Sequence, residues 1–299
     1  MRLSELPADT SVEVLRDGEF ESLGLLFYDA PRLLVGLDDA RFLGDVLRNE
    51  RISCVITTAS LSHRIPDRCG LAVDREPRSA FYGVHEWLSC CTEFYWRNFD
   101  TEISPLAAVD KQASVARHNV RIGKGSVIEP GVTIRERTLI GEDVVIRSGC
   151  VIGAEGFDPR EHAEVVRITP HAGGVRIHDG VEIQSNSVVC RCVFQGFTEI
   201  GVSTKISSLV NVSHNVKIGR CCRIGAGALI MGSAGIGDEV WIGPNATISN
   251  RVLLKDEARV SLGAVVVRDV AAKETVSGNF AVEHSKFLRF WRKLRGGKQ

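Results

Sequence analysis

The sequence is short of aromatic residues, of net charge and of long apolar runs. Aromatics make up 6% of its 299 residues, against 29 glycines. That balance points to a repetitive β fold rather than an ordinary mixed core. Lys+Arg and Asp+Glu both total 37, so the formal net charge is zero. A dedicated nucleic-acid binder needs a basic field to release counterions from phosphates, so that class is disfavoured. No apolar run approaches the roughly 18 residues needed to span a bilayer. The start, MRLSELPADT, lacks the basic-then-apolar layout of a signal peptide. The expectation is a soluble, cytoplasmic protein. Among nine cysteines, no two have the C-x-x-C spacing of a structural zinc site. They read as small buried apolar residues kept reduced.

What the sequence has in abundance is a step of six. Ile200, Ile206, Val212, Ile218, Ile224 and Ile230 begin a series that runs to Val266. An earlier block runs from Ile122 to Ile152, and a short one joins Ile177, Ile183 and Val189. Four residues after each aliphatic stands a small residue, such as Val132, Cys222, Ala228 or Ala234. This period is neither helical nor simple alternation. It is the hexapeptide repeat of a left-handed parallel β-helix. Three short strands form one triangular coil, so about 18 residues advance the chain one strand spacing. Gly often follows the aliphatic, as at Gly219, Gly225, Gly237 and Gly243, where it is expected to permit the backbone angles of the corners. The beat breaks at 153–176 and, more briefly, at 190–199. Both segments are expected to be loops expelled from the coils, and loops on a rigid scaffold commonly carry binding residues.

The fold class is therefore mainly β: a left-handed β-helix over 101–272, preceded by a small α/β domain over 1–100 and followed by a short C-terminal helix in 273–299. In the first domain, RISCVITT (51–58) reads as a buried strand. EPRSAFYGVHEWL (76–88) reads as a helix opened by Pro77, with Phe81, Val84 and Leu88 on one face. The C-terminal helix is amphipathic. Phe287, Phe290, Trp291 and Leu294 form its apolar stripe, and Lys286, Arg289, Arg292, Lys293, Arg295 and Lys298 supply charge. It is expected to cap the last coil, or else to dock an acidic acyl carrier protein or the phosphates of CoA.

His214 falls two residues after the inward-pointing Val212, so its side chain leaves the core near a corner. Position 232 is one coil further, which places Gly232 beside it. A glycine N–H next to a histidine is the layout of a general base beside an oxyanion donor. Acyl transfer from a thioester to an amine needs both. Imidazole, with an ordinary pKa near 6.5, suits proton removal at neutral pH. A metal role is weaker, because the other seven histidines show no ligand spacing with His214.

With these residues in place, the sequence resembles the UDP-3-O-acylglucosamine N-acyltransferases of lipid A synthesis. The resemblance is carried by LLVGLDDARFLGDVLRNERISCVI (33–56), VIGAEGF (151–157), RITPHAGGVRIHDGVEIQSN (167–186) and LVNVSHNVKIG (209–219). It implies that His214 is the catalytic histidine and Gly232 the oxyanion glycine. It places a uracil site in the first domain, where this chain has Gly36, Asp39 and Phe42, the last stacking on the base. Ser207 stands where that family has an acid, and Asn211 where it has a glutamine. Asn211, Asn215 and Ser207 are expected to contact substrate or orient the histidine. Asn250-Arg251 stands in place of a Gly-His pair and is expected on the donor side. Cys190-Arg191-Cys192 replaces Asp-Arg-Gly. ARVSLGAVVVRDV (258–270) also resembles the closing coils of acetyl-CoA-dependent sugar acetyltransferases, which share an H-N/D-x-x-I-G histidine.

The expectation is an N-acyltransferase moving an acyl group from CoA or acyl carrier protein to the amino group of a nucleotide-linked sugar, in lipid A or surface polysaccharide synthesis. No tightly bound cofactor or metal is expected, and a homotrimer is. The alternative is a non-catalytic β-helix scaffold that binds sugar nucleotides.

Overall fold

The computed structural model describes residues 1–162, 165–278 and 280–294. The repeat folds as a three-sided parallel β-helix. One sheet runs from Ala108–Val109 to Thr275–Val276, a second from Ser114–Val115 to Val265–Val266, and a third from Glu102–Ile103 to Leu253–Leu254. Asn211 pairs with Leu229, and Leu229 with Thr247, so one coil takes 229 − 211 = 18 residues. The six-residue aliphatics and the small residues four positions on fill one core. Ile206, Val212, Ile224, Ile230, Cys222 and Ala228 are all buried in it. Each fully buried aliphatic side chain contributes about 1.5–3 kcal/mol of transfer free energy, and the stacking repeats that contribution coil after coil.

The glycines after the aliphatics do a different job from the one the sequence suggested. The left-handed corner conformation falls instead on residues such as Asn215, Ser233 and Arg251, with φ of 63°, 61° and 62°. Gly219, Gly225 and Gly243 lie where successive coils touch. A methyl on Gly219 would sit 2.5 Å from the Gly237 carbonyl oxygen, and one on Gly225 2.5 Å from Pro244 N. Close approach of backbones, not a positive φ, demands glycine there.

The first domain is a five-stranded sheet ordered β1-β5-β4-β3-β2. Its strands are β1 (Glu13–Arg16), β2 (Ser22–Leu23), β3 (Leu33–Leu37), β4 (Ile52–Thr57) and β5 (Gly70–Val73). β2 to β5 are parallel and β1 is antiparallel to β5. Helix α1 (Leu43–Arg48) crosses from β3 to β4, a short α2 (Ala59–Ser62) follows β4, and α3 (Pro77–Cys91) follows β5. Pro77 opens α3, and Phe81, Val84 and Leu88 are buried on its inner face. Gly36, in β3, faces Phe81: a methyl there would meet Phe81 Cβ at 3.1 Å.

Two loops leave the coils and hold the first domain against them. Residues 155–173 carry the antiparallel hairpin Pro159–His162/Val165–Ile168. Residues 191–196 do more than leave the coil. Val193 and Phe194 enter the core of the first domain beside Leu3, Phe20 and Phe81. Cys190 and Cys192 are buried at the loop's base, and burial pushes the Cys190 thiol up to about 11. All nine cysteines are free, with Cys90, Cys91 and Cys221 exposed against the buried reading.

The C-terminal helix α4 (His284–Leu294) does not cap the last coil. Phe287, Phe290 and Trp291 remain 45%, 59% and 44% exposed. The Leu294 side chain, Arg295 and Lys298 lie outside the described residues. No helix among the described residues is long and apolar enough to cross a membrane.

Candidate active site

His214 occupies the turn between Asn211–Val212 and Lys217–Ile218, at the corner between the second and third sheets. Val212 and Val216 point inward and are buried, while His214 between them is half-buried and outside the core. Gly232 holds the same turn position one coil on. A methyl on Gly232 would lie 2.5 Å from His214 Cε1 and 2.7 Å from Nε2, so only a glycine leaves the imidazole its place. The turn keeps the Gly232 N–H out of the ladder, and it has no acceptor among the described residues. Its neighbour's amide, Ser233 N–H, donates to the His214 carbonyl at 2.9 Å and fixes the two turns together.

The wall opposite Gly232 comes from the loop of 155–173. His171 is fully buried there, with its ring centroid 5.5 Å from that of His214 and the planes at 75°. Its Nδ1 lies 2.9 Å from the Thr169 carbonyl and 3.3 Å from Glu155 Oε2. Glu155 also accepts from Arg191 Nη2 at 2.7 Å. Burial opposes ionisation of Glu155, but the bonds from His171 and Arg191 outweigh it and hold the carboxyl below its ordinary range. Burial holds the His214 pKa down, and nearby His171 and Arg160 add to the effect while Asp158 opposes it. His214 is thus a neutral imidazole at pH 7, able to accept a proton. Nothing in the sequence places His171 here, because the expelled loop carries no repeat register to align it with the coils.

The other expected residues spread around this pair. Asn215 adjoins His214, but its side chain is engaged elsewhere. Its Oδ1 accepts from Val193 N–H at 2.8 Å, and its Nδ2 donates to the Tyr28 hydroxyl and to Ser233 Oγ. Asn211 accepts from Ser213 Oγ at 3.3 Å. Neither asparagine bonds to His214, whose buried Nδ1 has no partner among the described residues. Ser207 is half-buried, its carbonyl accepting from Ser187 Oγ at 2.9 Å. Asn250 is exposed, one coil beyond Gly232. Arg251 lies over the Phe27 ring at 4.3 Å, so the first domain touches the coils at this corner through Phe27 and Tyr28.

Between α3 and the hairpin lies a cavity of about 700 Å³, lined by Asp38, Arg75, Arg78, Tyr82, Arg160 and Arg167 among others, with Thr169 and Pro170 on the side of His171. Phe42 and Asp39 are not part of its lining. Phe42 is 46% exposed, and Asp39 caps the turn that follows it, accepting from Arg41 N–H at 2.8 Å and Arg41 Nε at 2.7 Å. That ion pair holds the Asp39 carboxyl below its ordinary range. A larger hollow of about 1090 Å³ on the first domain, lined by residues such as Thr10, Glu13, Asp74 and Trp87, contains none of the residues around His214. Among the described residues, no cluster of three His, Cys, Asp or Glu could hold a metal ion.

Residues 114–154 match the family model described as bacterial transferase hexapeptide (six repeats). The chain is similar to the UDP-3-O-acylglucosamine N-acyltransferase of Caulobacter sp. (strain K31), 38% identical over 50% of this chain and 44% of that one. It is similar also to the enzyme of the same name from Bordetella pertussis, 32% identical over 55% of this chain and 46% of that one. The matches thus span just under half the length of these relatives. Among solved structures, an Arabidopsis UDP-N-acetylglucosamine acyltransferase overlaps 67% of this chain and 77% of its own, at 18% identity and a TM-score of 0.47.

Proposed function

We propose that this protein is an N-acyltransferase that moves an acyl group from a thioester to the amino group of a nucleotide-linked sugar. The observation that carries the reading is the contact of His214 with Gly232, a neutral base beside an amide N–H that has no acceptor among the described residues. The similarity to relatives named UDP-3-O-acylglucosamine N-acyltransferase supports it.

The chemistry follows from the two groups. The sugar amine attacks the thioester carbonyl carbon, and His214 takes the proton that the amine must lose. Negative charge collects on the carbonyl oxygen, where the Gly232 N–H donates to it. Collapse restores the carbonyl, expels the thiolate, and returns the proton from His214 to sulfur. A base contributes about 10²–10⁴-fold and an oxyanion donor about 10²–10³-fold to such a step.

The nucleotide lies on the first domain. The cavity beside α3 fits its phosphates, because Arg75, Arg78, Arg160 and Arg167 line it and its far wall leads through Thr169 and Pro170 to His171. The base stacks on Phe42, outside that lining. The donor, as CoA or acyl carrier protein, approaches along the coil edge past Asn250 and Arg251. The working unit is a homotrimer, supported by apolar side chains left on the outer faces of the coils: Leu229, Trp241, Leu253 and Val265 are 43%, 43%, 47% and 59% exposed.

A donor and acceptor screen tests the proposal. Acetyl-CoA and longer acyl carrier thioesters are each offered with UDP- and dTDP-linked amino sugars, and the free thiol and acylated sugar are measured. Turnover of at least one pair is expected. Tight sugar-nucleotide binding without turnover of any donor would instead establish the non-catalytic scaffold.

A further inference from the structure

Among the described residues, the buried His214 Nδ1 and His171 Nε2 both lack a partner, as do Arg160 Nε and Arg191 Nε nearby. Burying a polar atom without a hydrogen bond is costly, so two such atoms in adjacent rings call for a physical account. Their rings are edge to face with centroids 5.5 Å apart. Both rings meet at Gly156, where a methyl would lie 2.5 Å from His171 Nε2 and 3.0 Å from His214 Cδ2. A half-turn of His214 about its Cβ–Cγ bond leaves the ring in place and exchanges Nδ1 with Cδ2. The orphan nitrogen of His214 then lies on the Gly156 side of its ring, where the orphan nitrogen of His171 also lies.

The geometry points to His171 as the positioning residue of the site: His214 Nδ1–H donates to His171 Nε2, which leaves His214 Nε2 unprotonated toward the reacting amine. The direction of this bond is set from behind. His171 Nδ1 faces two acceptors, the Thr169 carbonyl and Glu155 Oε2, so it carries the ring's proton and Nε2 is the acceptor. Glu155 is in turn held by Arg191. The chain Arg191–Glu155–His171–His214 orients the base and fixes its tautomer, as a buried carboxylate does for a catalytic histidine elsewhere. Among the described residues, other charged or titratable groups around the pair include Asp158 just before the hairpin, Arg160 in it, and His85 of α3, which bonds the Pro170 carbonyl at 2.8 Å. The inference rests on His214 being the base of the proposed reaction. The hydrogen bond itself does not depend on turnover.

The test is nitrogen-15 NMR of the histidine side chains of the whole protein, at a pH where His214 is neutral. The expected spectrum shows His214 protonated at Nδ1 and bare at Nε2, with a coupling across the hydrogen bond to His171 Nε2. A His214 protonated at Nε2 overturns the proposal, whatever the donor screen shows. His171→Phe is expected to mix the two His214 tautomers and lower kcat roughly 10- to 100-fold, part of the 10²–10⁴ a base supplies, with KM unchanged. His171→Gln, which keeps an acceptor at the same reach, is expected to restore most of kcat. An unchanged His214 tautomer in His171→Phe also overturns it. If that variant fails to fold, the wild-type coupling alone decides.

Discussion

Gly232 and His214 are packed so closely across successive coils that a single methyl on the glycine would enter the imidazole ring, 2.5 Å from Cε1 and 2.7 Å from Nε2. The coil period makes this contact, and the missing side chain permits it. Gly232→Ala therefore keeps the backbone N–H but pushes His214 out of place. A fall in kcat of about 10²-fold is expected, the size of a lost base or a misaligned oxyanion donor. Thermal unfolding should change little, because the contact lies outside the core. Steady-state kinetics beside a melting curve checks both.

The pH dependence of turnover reports on the same histidine. Burial and the neighbouring His171 lower the His214 pKa, so the neutral base persists to lower pH than an ordinary imidazole near 6.5. kcat/KM is expected to stay level as pH falls through that range and to drop only below it. A midpoint at or above 6.5 in the acid limb would contradict the assigned environment.

Stability has its own pH sensor in His85. This ring lies between the Tyr95 hydroxyl at 2.7 Å and the Pro170 carbonyl at 2.8 Å, and burial lowers its pKa to about 4. A base with a depressed folded pKa binds fewer protons in the native state than in the unfolded chain. Its contribution is present above the unfolded value near 6.5 and is lost as pH falls toward 4, by up to about 3 kcal/mol. Denaturant midpoints measured from pH 7 to pH 4 should fall more steeply for the wild type than for His85→Gln.

The coil contacts make a separate demand. A methyl on Gly225 would sit 2.5 Å from Pro244 N, a backbone atom that cannot swing aside. Gly225→Ala is expected to destabilise the helix by about 1–3 kcal/mol, as overpacking does. Gly263→Ala, with open space around it but φ of +64°, should cost about 1 kcal/mol or more from the left-handed backbone alone. Paired denaturation curves separate the two mechanisms.

These particulars show what was legible in the sequence. A strict period of six fixes which residues point inward and which stand one coil apart, so Val212, His214 and Gly232 could be placed by counting. The role of the repeat glycines could not, because a close approach and a positive φ leave the same residue in the sequence. His171 was hidden for a related reason: residues 155–173 leave the coils, and nothing in their spacing says where they return. The break at 190–199 reads as a loop expelled from the coils, but that reading does not say where the loop goes, and Phe194 is buried with Phe20 and Phe81. Its apolar pair Val193-Phe194 was the available signal. The tail helix was expected to cap the coils from its apolar stripe, but a stripe specifies only that something covers it, not which surface does.

The most direct test of the account compares wild type and His214→Ala in a single-turnover acyl-transfer assay, using the thioester and nucleotide-linked amino sugar that the donor screen selects. His214 is outside the core, so the variant should keep its fold and its sugar-nucleotide affinity. Transfer is expected to fall by at least 10²-fold, the lower end of what a general base supplies. A variant that transfers the acyl group at the wild-type rate would contradict it.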